Sequence, residues 1–255
     1  QPAENRMWRR LKRAPAPLRY QRLRHFMLDF AADAIAYQPT HSDRSAYDAI
    51  HAEVAAGLTR LAARAGDRAL LCIVAHSLGT VIASNYLYDL MKNGRSFIGS
   101  EVLARVGPTP LERGETLAFF ATMGSPLALW SLRYPDFGVP ICVPPPALRR
   151  HHPGVQGRWV NFYDPDDVLG YPLRPLSRLY ASSVTEDQPV NVGSWLTSWN
   201  PLAHGGYWND GAVADQIAEN LADLWRHSSA IELVPSRRAK PPQRRKATGR
   251  ATGTR

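Results

Sequence analysis

Ala69-Leu70-Leu71-Cys72-Ile73-Val74-Ala75, then His76-Ser77-Leu78-Gly79-Thr80, then Val81 to Met91: the fold turns on this stretch. Residues 69–75 are short, unbroken and apolar. That is the pattern of a parallel strand covered on both faces, because such a strand has no solvent side to keep polar. From Leu78 to Met91 the apolar positions Val81, Ile82, Tyr86, Leu87 and Leu90 fall at helical spacing. Only His76 and Ser77 separate the two patterns, so the stretch reads as strand, tight turn, helix, with a serine at the turn.

Working outward, Tyr47, Ile50, Val54, Leu58 and Leu61 recur every three or four residues and predict an amphipathic helix between Ser45 and Arg64, ended by Gly66 and Asp67. Downstream, Thr116 to Met123 (TLAFFATM) reads as a second buried strand that stops at Gly124-Ser125-Pro126. A Pro-rich excursion through Pro144 to Pro146 leads to a third strand at Arg158 to Tyr163. Val213, Ile217, Leu221, Leu224 and Trp225 mark a closing helix that Asp210 is placed to cap. Strands alternating with helices specify an α/β fold, a mostly parallel sheet flanked by helices. Functional residues of such sheets gather at the carboxyl ends of the strands. Residues 6–37 mix Arg with apolar positions and suit an irregular or partly helical lead-in. The expected division is a basic lead-in over 1–44, a catalytic body over 45–235 and a disordered basic tail over 236–255.

The formal charge of +9 on 255 residues suggests nucleic acid or anionic lipid until it is located. Residues 1–24 carry eight bases against Glu4 alone, and residues 236–255 carry eight with no acid. The remainder holds 15 bases against 21 acids, so the body is acidic. No stable nucleic-acid partner is expected; the basic ends suit at most weak contact with polyanions or a membrane surface. No apolar run approaches the roughly 20 residues of a spanning helix. Cys72 and Cys142 are too few for a disulfide framework, and a reduced, cytoplasmic setting is the simpler expectation. A chain opening on Gln1 without Met is expected to have lost residues upstream.

Ser77 is flanked two positions away by the small residues Ala75 and Gly79, the pattern of a nucleophile elbow with alanine in place of the first glycine. The following helix directs its amino end at the serine, so the Leu78 N–H is the expected oxyanion donor. His76, adjacent to the serine, reads as structural. A serine hydroxyl attacks only when a base takes its proton, so a histidine and an orienting acid must follow. Asp164, Asp166 and Asp167 stand just after the third strand, and one of them should reach the histidine. His204 lies in the glycine-containing loop before the closing helix and is the expected base. His151 and His152 precede the carboxylates and violate the order serine, acid, histidine.

Taken together, Val74 to Thr80 (VAHSLGT), Thr122 to Leu127 (TMGSPL), Asp166-Asp167-Val168 with Tyr171-Pro172-Leu173, and His204 with Tyr207-Trp208 resemble the lipase and esterase branch of the α/β hydrolases. The likeness is to fungal-type triacylglycerol lipases and intracellular phospholipase-like relatives, over roughly residues 70–225. It implies an α/β-hydrolase-like sheet and hydrolysis of a small ester or lipid through an acyl-enzyme, with no metal or organic cofactor. In those families the acid stands two residues before a valine, which selects Asp166. The chain departs from them by having no strand ending in His-Gly ahead of Ala69. The first strands are therefore expected to be missing, and the second oxyanion donor is either missing with them or replaced by another backbone N–H. The alternative is a catalytically impaired hydrolase-like domain that binds a ligand or partner. Oligomeric state is not encoded in any motif.

Overall fold

Why the sheet forms where it does is clearest at its centre. The computed structural model describes residues 21–40, 42–91, 98–132, 139–192 and 204–232. In chain order its helices are α1 (Gln21–Tyr37), α2 (Ser45–Ala65), α3 (Leu78–Met91), α4 (Ser100–Leu103), α5 (Leu127–Trp130), α6 (Leu148–His151), α7 (Arg178–Ser183) and α8 (Gly211–Glu232). The strands are β1 (Leu71–His76), β2 (Leu117–Met123), β3 (Arg158–Tyr163) and β4 (Glu186–Pro189). All pairings are parallel and the order is β1-β2-β3-β4. This is a parallel α/β sheet flanked by helices.

Every residue of β2 is buried. From Phe119 onward its side chains alternate between two cores, as the period of a strand requires. Leu117 and Phe120 join Trp159 and the core beneath α2 and α3, whereas Phe119, Ala121 and Met123 join Val160, Phe162 and Val213 beneath α8. Each large side chain so covered contributes about 1.5–3 kcal/mol of burial, and coverage on both faces is why TLAFFATM carries no polar alternation. The β1–β2 register slips once, Leu71 facing Leu117 and Cys72 facing Phe119, so Ala118 is passed over. From there to His76 and Met123 the pairing is regular.

Two expectations are refined. In α2 the buried face runs Tyr47, His51, Ala52, Ala55, Leu58 and Ala62, while Leu61 is exposed. The stripe turns toward alanines because small side chains let α2 approach its neighbours closely. The other refinement is β4, Glu186-Asp187-Gln188-Pro189, which has no apolar residue to mark it. It is an edge strand bonded only to β3, where polar residues and a terminal proline are tolerated. Asp187 uses both oxygens, accepting from the Leu173 and Arg174 N–H groups and from Asn161 Nδ2.

The lead-in is helical over α1 and ends in the body. Tyr37 is buried, stacks on Tyr47 and bonds His51 and Asn85, while Tyr47 donates to Asp89 of α3. Asp210 caps α8 by accepting from the Val213 N–H at 3.0 Å, as expected. Cys72 and Cys142 are both free thiols. Among the described residues no helix is long and apolar enough to cross a membrane. The tail at 236–255 and residues 1–20 lie outside the described residues.

Candidate active site

Ser77 sits between the last residue of β1 and the first of α3 with φ of 53°, the one positive φ of a non-glycine residue among the described residues. Such backbone costs of order 1–3 kcal/mol and persists only where its surroundings hold it. Here the Ser77 N–H donates to the Met123 carbonyl at 3.0 Å, and the Ser77 carbonyl accepts from both the N–H and the hydroxyl of Thr80. Thr80 Oγ1 lies 2.8 Å from Ser125 Oγ, which accepts from the Leu127 N–H, so TMGSPL braces the turn from below. Of the motif's small residues, Gly79 is not required by crowding: a Cβ there meets nothing within 4 Å beyond its own helix. Gly79 already lies in the first turn of α3. Leu78 contributes the first amide of α3, and first-turn amides have no carbonyl of their own helix to bond.

His204 is 3% exposed. The Ser77 hydroxyl donates to its Nε2 at 2.7 Å, and its Nδ1–H donates to Asp167, 2.8 Å from Oδ2 and 3.0 Å from Oδ1. Two of the three expected residues, Ser77 and His204, thus meet directly, although 127 positions apart.

The expected acid, Asp166, is corrected. The carboxylate that meets the imidazole belongs to Asp167; Asp166 is exposed. Asp164-Pro165-Asp166-Asp167 is a four-residue turn closed by the Asp167 N–H on the Asp164 carbonyl. Its corner positions face water, and its first and last residues face inward. Asp164, at the first, accepts from the Asp166 and Val192 N–H groups and stabilises the loop. Proline at the second position of such a turn was the available signal, and it places Asp167 at the inward end.

Asp167 also accepts from the Tyr207 hydroxyl at 2.9 Å and from the Leu169 N–H at 3.0 Å. Burial alone pushes this carboxyl up, but the His204 contact, with the Leu169 and Tyr207 bonds, outweighs it and holds the group below the usual carboxylate range. The same bond with Asp167, after burial itself, pushes the Tyr207 phenol well above its ordinary value. Sequence reasoning placed Tyr207 near the base without giving it this role. Gly124, with φ of 53°, passes so close that a Cβ there would lie 2.8 Å from Tyr207 and 2.9 Å from Asp167.

Beneath the site a polar ladder crosses the sheet. Trp159 Nε1–H donates to Thr122 Oγ1, Thr122 donates to Asn161 Oδ1, and Asn161 Nδ2 donates to Asp187. Leu127 is buried in the core and Trp130 packs against it, meeting Phe30 edge to face. A cavity of about 210 Å³ lined by Phe119, Arg158 and Asn220 lies at the amino ends of β2 and β3, the end of the sheet away from Ser77. Among the described residues no group of three or more His, Cys, Asp or Glu is arranged to hold a metal ion. The site can therefore relay a proton from an alcohol to a buried imidazole that a carboxylate orients. No family model, no curated protein and no solved structure matches the chain.

Proposed function

We propose that this chain is a serine hydrolase of the α/β-hydrolase type that cleaves carboxylic esters. The observation that carries the reading is the unbroken line of hydrogen bonds from the Ser77 hydroxyl through His204 to Asp167, on an elbow of positive φ. An alcohol in that setting loses its proton to Nε2 as it attacks, and the imidazolium that forms is stabilised by the carboxylate already bonded to Nδ1.

The steps follow from these groups. Ser77 Oγ bonds to the ester carbonyl carbon while its proton moves to His204 Nε2. Charge develops on the carbonyl oxygen and is met by the Leu78 N–H. Collapse breaks the carbon–oxygen bond of the alcohol, which leaves with the proton from Nε2, and an acyl group remains on Ser77. Water, deprotonated by the same nitrogen, then attacks the acyl carbon; the bond to Ser77 Oγ breaks, the acid leaves and Nε2 returns the proton to Ser77. Asp167 stays ionised throughout, which its depressed affinity for protons supports.

An alkyl fluorophosphonate probe tests the reading on the full chain. The intact protein is expected to be labelled at Ser77, and Ser77→Ala and His204→Ala are expected to be unlabelled. A panel of p-nitrophenyl esters then orders acyl lengths. An intact, folded chain that ignores the probe would leave only the ligand-binding alternative.

A further inference from the structure

His76, adjacent to the nucleophile, is also in contact with the residue that bears the base. Its Nε2 lies 2.8 Å from the carbonyl oxygen of His204, a residue 128 positions away. A carbonyl only accepts, so this nitrogen carries the proton and Nδ1 is the bare one. The two imidazoles lie with centroids 4.8 Å apart, tilted by 35°, and Tyr207 and Trp208 pack against the same His76 ring at 5.7 and 6.1 Å.

The connection joins the two reacting side chains by a route that avoids the reacting atoms. His76 is the last residue of β1, whose pairing with β2 is regular to its end, so its ring has a rigid footing. The backbone at His204 lies outside the sheet, and Gly205 and Gly206, with no side chains to restrict their torsions, separate it from the anchored Tyr207. We propose that His76 is a positioning residue, whose Nε2–H holds the His204 carbonyl so that the His204 ring reaches Ser77 and Asp167 together. This rests on the reading of Ser77 as a nucleophile.

The charge state of His76 fits the role. Burial, and then the neighbouring His204, push it below the ordinary histidine range. It therefore stays neutral while His204 becomes cationic, and no second cation opposes that step.

Two substitutions separate the hydrogen bond from packing. His76→Phe keeps a ring and removes the donor; His76→Gln removes the ring and keeps a donating nitrogen at similar reach. With p-nitrophenyl butyrate, His76→Phe is expected to lower kcat and the fluorophosphonate labelling rate ~10- to 100-fold with KM nearly unchanged, the cost of a slightly misplaced base. His76→Gln is expected to recover most of that loss. Full activity in His76→Phe, or equal losses in both variants, would overturn the proposal. Nitrogen NMR of the wild-type imidazoles supplies a readout independent of turnover and of variant folding: His76 is expected as the Nε2–H tautomer near neutral pH. An Nδ1–H tautomer overturns the bond whether or not the chain hydrolyses anything. The Nε2–H tautomer in a chain that ignores the probe instead overturns the hydrolase reading, and the positioning role with it, while the bond itself stands.

Discussion

Two histidines are buried almost completely, and their surroundings differ in one respect that matters. His51, where α1, α2 and α3 meet, is enclosed by Tyr37, Tyr47 and Tyr86, with ring centroids 6.0, 4.0 and 5.5 Å away. One nitrogen is bonded to the Tyr37 hydroxyl at 3.0 Å and the other, Nδ1, has no hydrogen-bond partner among the described residues. His204 is equally hidden but has an alcohol on one nitrogen and a carboxylate on the other. Around His51 burial dominates and drives the pKa down to about 4, so that ring is held neutral. Burial without a charged partner holds the His51 ring neutral; His204 instead has a proton donor on one nitrogen and a carboxylate on the other.

The largest expected effect breaks the comparison outright. His204→Ala should lower ester turnover by ~10⁴-fold or more, whereas His51→Ala should cost stability and leave turnover per folded molecule nearly unchanged; kinetics normalised to the folded fraction read by circular dichroism would check both. Next is the pair of neighbouring acids. Asp167→Asn is expected to cost ~10⁴-fold in kcat by removing the acceptor that fixes the His204 tautomer. Asp166→Asn, at the exposed turn corner, should stay within about twofold.

Tyr207→Phe removes one of the bonds that lower the Asp167 pKa. Asp167 stays ionised near neutrality in the variant, so kcat there should fall by at most about tenfold, the worth of one charge-assisted bond, and the activity lost as pH falls through the Asp167 pKa should be lost at a higher pH than in the wild type. The remaining effect is on folding and not on turnover. The unfolded His51 ring takes its proton near pH 6.5 and the folded one near 4. Between those values the unfolded chain binds more protons, so His51 leaves stability intact above pH 6.5 and withdraws up to about 3 kcal/mol as pH falls toward 4. Urea unfolding at pH 7 and pH 4.5 should show that loss in the wild type and much less of it in His51→Gln.

The three apolar strands and the helices at 45–65, 78–91 and 211–232 were legible because hydrophobic periodicity reports coverage directly. β4 was not, since an edge strand of four polar residues leaves no such trace. Ser77 and His204 were legible from local context and from their order in the chain. Asp166 was chosen over Asp167 on a spacing borrowed from a resemblance, although the turn geometry of Asp164-Pro165 carried the answer. The partnership of Tyr207 with Asp167, and the contact of His76 with His204, join residues 40 and 128 positions apart, and no local pattern encodes such pairings.

The passed-over Ala118 has a practical consequence for how this molecule can fail. Past it, the strands share one level, His76 beside Met123 and Met123 beside Phe162, and Ser77 leaves the sheet from that level. A single-residue slip would carry the serine along by about 3.3 Å, more than the 2.7 Å that now separates it from the imidazole. A one-residue slip also sends each side chain of the slipped strand to the opposite core, so length changes in the segment before β2 should cost stability as well as turnover.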